Sequence, residues 1–156
     1  MVDVGDKAVT DRRAVASVRV SMRPEVLGRL REGSLEKGNA VEMARVAGIL
    51  AAKRTSDLLP LCHPVRLSEV RVDFEFDAAE SVRVVASVRG QDRTGFEMEA
   101  LTAAAMAGLA LYDACKMHQK DIRLLDLGLE EKRGGKSGDF RRRDPGGEGS
   151  DSAGRR

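Results

Sequence analysis

The sequence predicts an α+β fold in which two long helices pack on one face of an antiparallel sheet. Three observations predict it. Apolar residues recur at every second position near residues 14–22, 67–77 and 82–90, the period of a half-buried strand. Two longer segments, 39–53 and 97–117, are built from strong helix formers. With residues 121–129 read as a last strand, the order is strand, helix, strand, strand, helix, strand.

Each element has its own reason. In AVASVRVSM, residues 14–22, Val18, Val20 and Met22 share one face and Arg19 and Ser21 the other. Pro24 opens a short helix, PEVLGRLR, because its fixed φ suits a first helical turn; Gly33 ends it. GSLEKGN is a loop, and Asn39 caps the helix NAVEMARVAGILAAK. LSEVRVDFEFD sets Val70, Val72, Phe74 and Phe76 against Arg71, Asp73, Glu75 and Asp77. DAAES turns the chain into VRVVASVRG, residues 82–90. The second long helix is EMEALTAAAMAGLALYDACKM, and DIRLLDLGL closes the sheet. This order is the ferredoxin-like βαββαβ arrangement. From Arg133 onward the chain is Gly, Ser, Arg and Asp with almost nothing apolar, so a single domain over 1–132 and a largely disordered tail over 133–156 are expected.

Composition narrows the function. The chain has 156 residues, 42% hydrophobic and 33% charged, with a formal charge of +2. That balance argues against a dedicated nucleic-acid binder, which would carry a lopsided basic face. An RNA-recognition domain shares this element order but needs stacking aromatics on its central strands, and RVVASVRG has none. Two cysteines make no disulfide framework, and no apolar run reaches the ~18 residues of a membrane span. MVDVGDKAVTDRRA carries no signal-peptide pattern, so a reducing cytoplasm is expected.

From Ala100 to Tyr112 the second long helix carries no charge on any side. A helix apolar all round is buried all round, yet a two-layer fold leaves helix backs open. A second copy of the chain is the simplest cover.

Candidate chemistry is scattered. Asp113 and Lys116, three apart on that helix, share a face; they make either a surface ion pair or an acid/base pair. Glu97 and Glu99 sit in its first turn, where carboxylates answer the helix dipole. Glu99 and Asp113 are ~21 Å apart along a helix, too far for one small substrate within one chain. TSDLLPLCHP, residues 55–64, holds Pro60, Cys62, His63 and Pro64. Cys62-His63 with Cys115-x-x-His118 could supply four zinc ligands, but the spacing is that of no common finger or ribbon. Gly134 to Asp139, GGKSGD, lacks the Walker glycine, because Glu130 stands in its place. Lys132 and Lys136 there, with Arg12, Arg13 and Lys37 in other segments, are cations available to a polyphosphate.

Taken together, MVDVGDK, ARVAGILAAKRTSDLLPLCHP, TGFEMEALTAA, LYDACKMHQKD and GGKSGDF resemble the cyclic pyranopterin monophosphate synthase family, accessory protein C of molybdenum-cofactor biosynthesis. The resemblance runs in order from residue 1 to about residue 140. It implies a lyase that converts (8S)-3′,8-cyclo-7,8-dihydroguanosine 5′-triphosphate to cyclic pyranopterin monophosphate and releases pyrophosphate. It implies no cofactor and no metal, and a homohexamer, a trimer of dimers with active sites at the dimer interface. By matched position, Asp113 is the catalytic acid/base, Lys116 its partner and Lys37 a loop lysine needed for turnover. Leu61, Cys62 and His63 form one substrate-contacting strip, and Glu97, Met98 and Glu99 the other. Arg12 and Lys132 are cations near the substrate phosphates. Asn39 stands where the family often has an aspartate. The rival from another class is a non-catalytic domain of the same fold, sensing a small molecule or stabilised by zinc; metal analysis of the purified protein separates the two.

Overall fold

The computed structural model describes residues 1–77 and 80–142. Its elements follow the expected order: β1 (Thr10–Ser21), α1 (Pro24–Glu32), α2 (Ala40–Lys53), α3 (Thr55–Leu58), β2 (Leu67–Phe76), β3 (Ser81–Asp92), α4 (Glu97–Cys115), β4 (Arg123–Arg133) and β5 (Phe140–Arg141). All pairings are antiparallel and the sheet order is β2-β3-β1-β4-β5. The first four strands are the ferredoxin-like sheet. Residues 78–79, at the tip of the expected DAAES turn, lie outside the described residues, as do residues 143–156 of the expected tail.

β4 and β5 reach further than the sequence pattern does. β4 runs to Arg133, and Phe140 pairs with Lys132 and Arg141 with Glu131. The short return is only two residues long, Phe140 and Arg141, and both are exposed. Backbone pairing defines it, so no apolar alternation betrays it in the sequence.

Both long helices cover the same face. α4 lies on β1, β3 and β4, and α2 lies on β2 and against α4. Between them the core is Val18, Val20, Val72, Val82, Val84, Val88, Ala103, Ala107 and Leu111, all nearly inaccessible. Small residues let α2 and α4 approach closely: a Cβ on Gly48 would sit 2.9 Å from the Ala103 carbonyl oxygen. Asn39 caps α2, accepting the Glu42 N–H at 3.2 Å. The aspartate-to-asparagine departure therefore keeps the capping role. The opposite face of the sheet is charged, with Arg13, Arg19, Arg71 and Arg89 exposed on it and no aromatic on either central strand.

The outward backs of the helices are apolar and uncovered within the chain. Met43, Val46 and Leu50 on α2 are 52%, 54% and 48% exposed, and Leu109 on α4 is 50% exposed. Their spacing puts the α2 residues on one stripe.

Candidate active site

Lys37 reaches the far end of α4 because the α1–α2 loop is tied at both sides. α1 ends at Gly33, whose N–H is satisfied by the Arg29 and Leu30 carbonyls. Leu35 then sinks into the core. Beyond it, Glu36 Oε2 lies 2.8 Å from His118 Nε2, and Lys37 Nζ donates to Asp113 Oδ2. Lys116 Nζ lies 2.7 Å from Asp113 Oδ1. Lys37, Asp113 and Lys116 thus form one cluster.

Two ammonium groups hold the Asp113 carboxyl down to about 2, Lys116 contributing most and Lys37 next. The Lys116 ammonium is pushed up in return by its bond to Asp113. At neutral pH the cluster rests as a carboxylate between two ammonium groups, a weak base beside weak acids. A catalytic base works best with a pKa near the working pH. Drawing either lysine away raises the basicity of Asp113.

The second cluster sits at the other end of α4. After α3 the chain turns at Leu59–Cys62, where the Cys62 N–H donates to the Leu59 carbonyl at 3.0 Å. The buried Thr55 hydroxyl donates back to the Ala51 and Ala52 carbonyls and fixes the exit from α2. Leu61, Cys62 and His63 line one wall of a cavity of about 590 Å³, and Gly95, Glu97 and Met98 line the other. Leu61 is 71% exposed, an apolar side chain unlike a core residue.

Glu99 stands behind this wall. It is 2% exposed, and the Cys62 thiol donates toward its Oε1 at 3.8 Å. Oε2 has no partner among the described residues. Burial pushes the Glu99 carboxyl up. Burial, and after it the Glu99 charge, pushes the Cys62 thiol up as well. A protonated thiol is a poor nucleophile.

Lys132 Nζ lies 3.4 Å from Glu97 Oε1 and donates to Ser137 Oγ at 2.8 Å. Arg12 donates to the Asp92 and Arg93 carbonyls at 3.0 and 3.2 Å. Arg13 bonds Ser87 on the charged sheet face and joins neither cluster.

Two features escaped the sequence reading. Asp92 accepts the Arg66 and Arg93 amides at 3.0 and 2.7 Å, binding the start of β2 to the segment before α4. Burial would raise its carboxyl, but those amides outweigh it and the net shift is downward. Gly90 lets the same segments meet: a Cβ there would lie 2.3 Å from the Arg66 carbonyl oxygen and 2.8 Å from the Phe96 ring. DRTG carries a turn signal, but nothing local marks Asp92 as a tie to a residue 26 positions away.

The zinc set is not assembled within the chain. Cys62 and His63 line the cavity, whereas Cys115 is buried at the opposite end of α4 and His118 bonds Glu36. Nor are the two halves of the expected active site together. Glu99 and Asp113 belong to one unbroken helix, ~21 Å apart along its axis.

A family model described as the MoaC family matches residues 1–135, which contain every residue of both clusters. The chain belongs to the MoaC family. Among relatives, cyclic pyranopterin monophosphate synthase of Chloroflexus aurantiacus is 52% identical over 143 residues, 91% of this chain and 88% of that protein. The synthase of Brevibacillus brevis is 46% identical over 142 residues, 91% and 89% of the two chains. That of Pelobacter propionicus is 50% identical over 143 residues, again 91% and 89%. As a MoaC family member the chain matches these relatives over nearly their whole length, so the likeness covers both ends of α4.

Proposed function

We propose that this protein is a cyclic pyranopterin monophosphate synthase, a lyase of molybdenum-cofactor biosynthesis. It converts (8S)-3′,8-cyclo-7,8-dihydroguanosine 5′-triphosphate to cyclic pyranopterin monophosphate and pyrophosphate. The observation that carries the reading is the arrival of Lys37 on Asp113 and Lys116. An isolated Asp–Lys pair three residues apart is an ordinary helix-surface contact. A third charged group brought from a loop, in a chain of this family, makes an acid/base centre.

The reaction opens the five-membered ring of the purine, rebuilds it as a pterin and closes a cyclic phosphate. Proton transfers run through Asp113 and Lys116, with Lys37 neutralising developing negative charge. Leu61, Cys62 and His63, with Glu97 and Met98, hold the base; Arg12 and Lys132 meet the phosphates. The catalytic unit spans residues 1–132. Neither metal nor redox cofactor enters the scheme.

The site is shared. The apolar backs of α2 and α4 pair with a second copy, and the Asp113 end of one helix meets the Cys62 cavity of the other chain. Three such dimers make a hexamer. No helix among the described residues is long and apolar enough to cross a membrane, and the cytoplasm is the proposed compartment. Incubation with the cyclic guanosine triphosphate derivative, with pterin and pyrophosphate measured together, tests the reading. Pterin formation that Asp113→Ala abolishes is expected; no pterin from the wild-type protein would refute it.

A further inference from the structure

His118 is a histidine that the proposed chemistry has not used, and it stands at a joint. It follows the end of α4 by three residues, and two other segments close on it. Arg23, which precedes α1, donates from its guanidinium to the His118 carbonyl at 2.7 Å. The Arg23 N–H donates to Oε1 of the neighbouring Gln119, also at 2.7 Å. From inside the helix, the Tyr112 hydroxyl donates to the Lys120 carbonyl at 2.8 Å. The turn at residues 116–120 is therefore pinned along its backbone, and the His118 imidazole faces the loop that follows α1.

α1 spans nine residues, ~13 Å along its axis. Its start is tied to that turn through Arg23, and the loop at its end returns there through Glu36. Gly33 and Gly38 make the return tight, with φ of 68° and 79°. Such values favour glycine. Between them Leu35 is buried, and the next two side chains reach the end of α4 together. Glu36 Oε2 lies 2.8 Å from His118 Nε2, and Lys37 Nζ bonds Asp113.

The Glu36 carboxyl is held below its ordinary value, first by its own backbone amide, then by His118, with a weaker pull from Arg29. An ionised carboxylate only accepts, so the ring nitrogen that faces it carries a proton. The imidazole is the best shielded of the four side chains, 20% exposed against 36% for Lys37. The Lys37–Asp113 pair is more open to water. Such a pair contributes little alone, because ordering the long lysine side chain offsets the attraction. With Glu36 already bound, the backbone of Lys37 is placed and only its side chain is left to order.

We propose that His118, through Glu36, is the positioning residue that keeps Lys37 on Asp113. It acts on the loop and not on the substrate. The inference deepens the proposed function and rests on it for the role of Lys37, but closure of the loop is testable without the reaction.

The experiment acylates the lysines of the full chain, in its native assembly, at neutral pH and reads each by mass spectrometry. An amine bonded to a carboxylate keeps its proton and reacts slowly. His118→Ala and Glu36→Ala should each raise labelling of Lys37 relative to Lys53 by about two- to tenfold, the range for one partly exposed charged bond. Glu36 is exposed, so its variant tests the bond without touching the core. His118→Gln, whose amide nitrogen reaches the same place, should bring labelling back toward the wild type. Glu32→Ala, an equal charge loss at the end of α1, should leave it unchanged. In an Asp113→Ala background, where the bond to be kept is gone, His118→Ala should add nothing. Unchanged Lys37 labelling in both His118→Ala and Glu36→Ala would overturn the clamp. So would an equal rise in Glu32→Ala, a further rise in the Asp113→Ala background, or labelling in His118→Gln as high as in His118→Ala. In turnover, both alanine variants should lose kcat with KM little changed, because Lys37 answers charge that develops only in the transition state. In a Lys37→Ala background neither should lose more. A raised KM at unchanged kcat would overturn this positioning role. Absence of pterin formation by the wild type would refute the proposed function and leave the labelling to judge the clamp.

Discussion

An ion pair joins Lys37, in the α1–α2 loop, to Asp113, in the last turn of α4, 76 positions along the chain. It makes the proposed catalytic centre depend on a loop held by Leu35 and by the Glu36–His118 contact. Asp113→Ala, Lys116→Ala and Lys37→Ala should each lose at least ~10²-fold in turnover, since acid/base groups contribute 10²- to 10⁴-fold. Circular dichroism should stay that of the wild type, because the three side chains lie at the surface. Pairs of these substitutions should lose less than the product of the single losses, as groups acting together do. Near wild-type turnover in both Asp113→Ala and Lys116→Ala would reduce the cluster to a surface salt bridge.

The same geometry fixes an order of titration. The Asp113 carboxyl is held down to about 2 from the ordinary 3.8. A depressed carboxyl favours the folded loop above its unfolded value, and that contribution disappears as pH falls through the folded one. The tie from Lys37 to Asp113 should persist from neutral pH to about pH 4 and be lost toward pH 2. Carbon-13 NMR of the side-chain carboxyl reads this directly. Lys116→Ala should raise the midpoint more than Lys37→Ala, because Lys116 is the larger cause. The reverse order would show that the loop lysine dominates.

Much of the scaffold was legible in the sequence, and the reason is burial. Val18, Val20 and Met22 alternate because one face of β1 meets the helices, and Val70 to Phe76 follow suit on β2. α3 was hidden inside TSDLLPLCHP because four residues show no helical period. The Asp113–Lys116 pair was visible from spacing alone, whereas Lys37 joins it only through the loop's tertiary ties. Glu99 read as a first-turn carboxylate answering the helix dipole; its burial behind Cys62 depends on how α3 and α4 pack.

Glu99 gives a stability test. Its carboxyl is raised by burial, so the folded state resists the charged form. Stability tied to the neutral form is complete below the unfolded pKa of about 4.3 and is lost as pH rises through the folded value. Glu99→Gln removes the charge and keeps the shape. It should raise the melting temperature at pH 8 and change it little at pH 4. An equal effect at both pH values would trace the change to packing instead.

Gly90 tests the support of the cavity. Gly90→Ala drives a methyl group against the Arg66 carbonyl and the Phe96 ring. Overpacking of this kind costs about 1–3 kcal/mol. Denaturant unfolding should show that loss, and weaker binding of the cyclic nucleotide should accompany it. An unchanged midpoint would mean that β2 and the segment before α4 shift apart freely, despite Asp92.

The sharpest test of a shared site uses two dead proteins. His63→Ala should disable the Cys62 cavity, and Asp113→Ala the cluster at the other end of α4. If each active site takes one half from each of two chains, a mixed dimer has one doubly damaged site and one intact site. Random exchange makes about half of all dimers mixed, so the mixture should recover roughly a quarter of wild-type turnover. A site confined to one chain recovers none, whatever the mixing. The exchange must be allowed to occur, and a double substitution of Val46 and Leu50 to Asp supplies the control. Those side chains lie on the exposed stripe of α2, and two carboxylates there should split the assembly, as sedimentation would read. Chains so altered, one carrying His63→Ala and the other Asp113→Ala, should show no recovery on mixing. Recovery in the presence of that interface damage, or its absence in the intact mixture after proven exchange, would place both halves of the chemistry elsewhere than across the α2–α4 face.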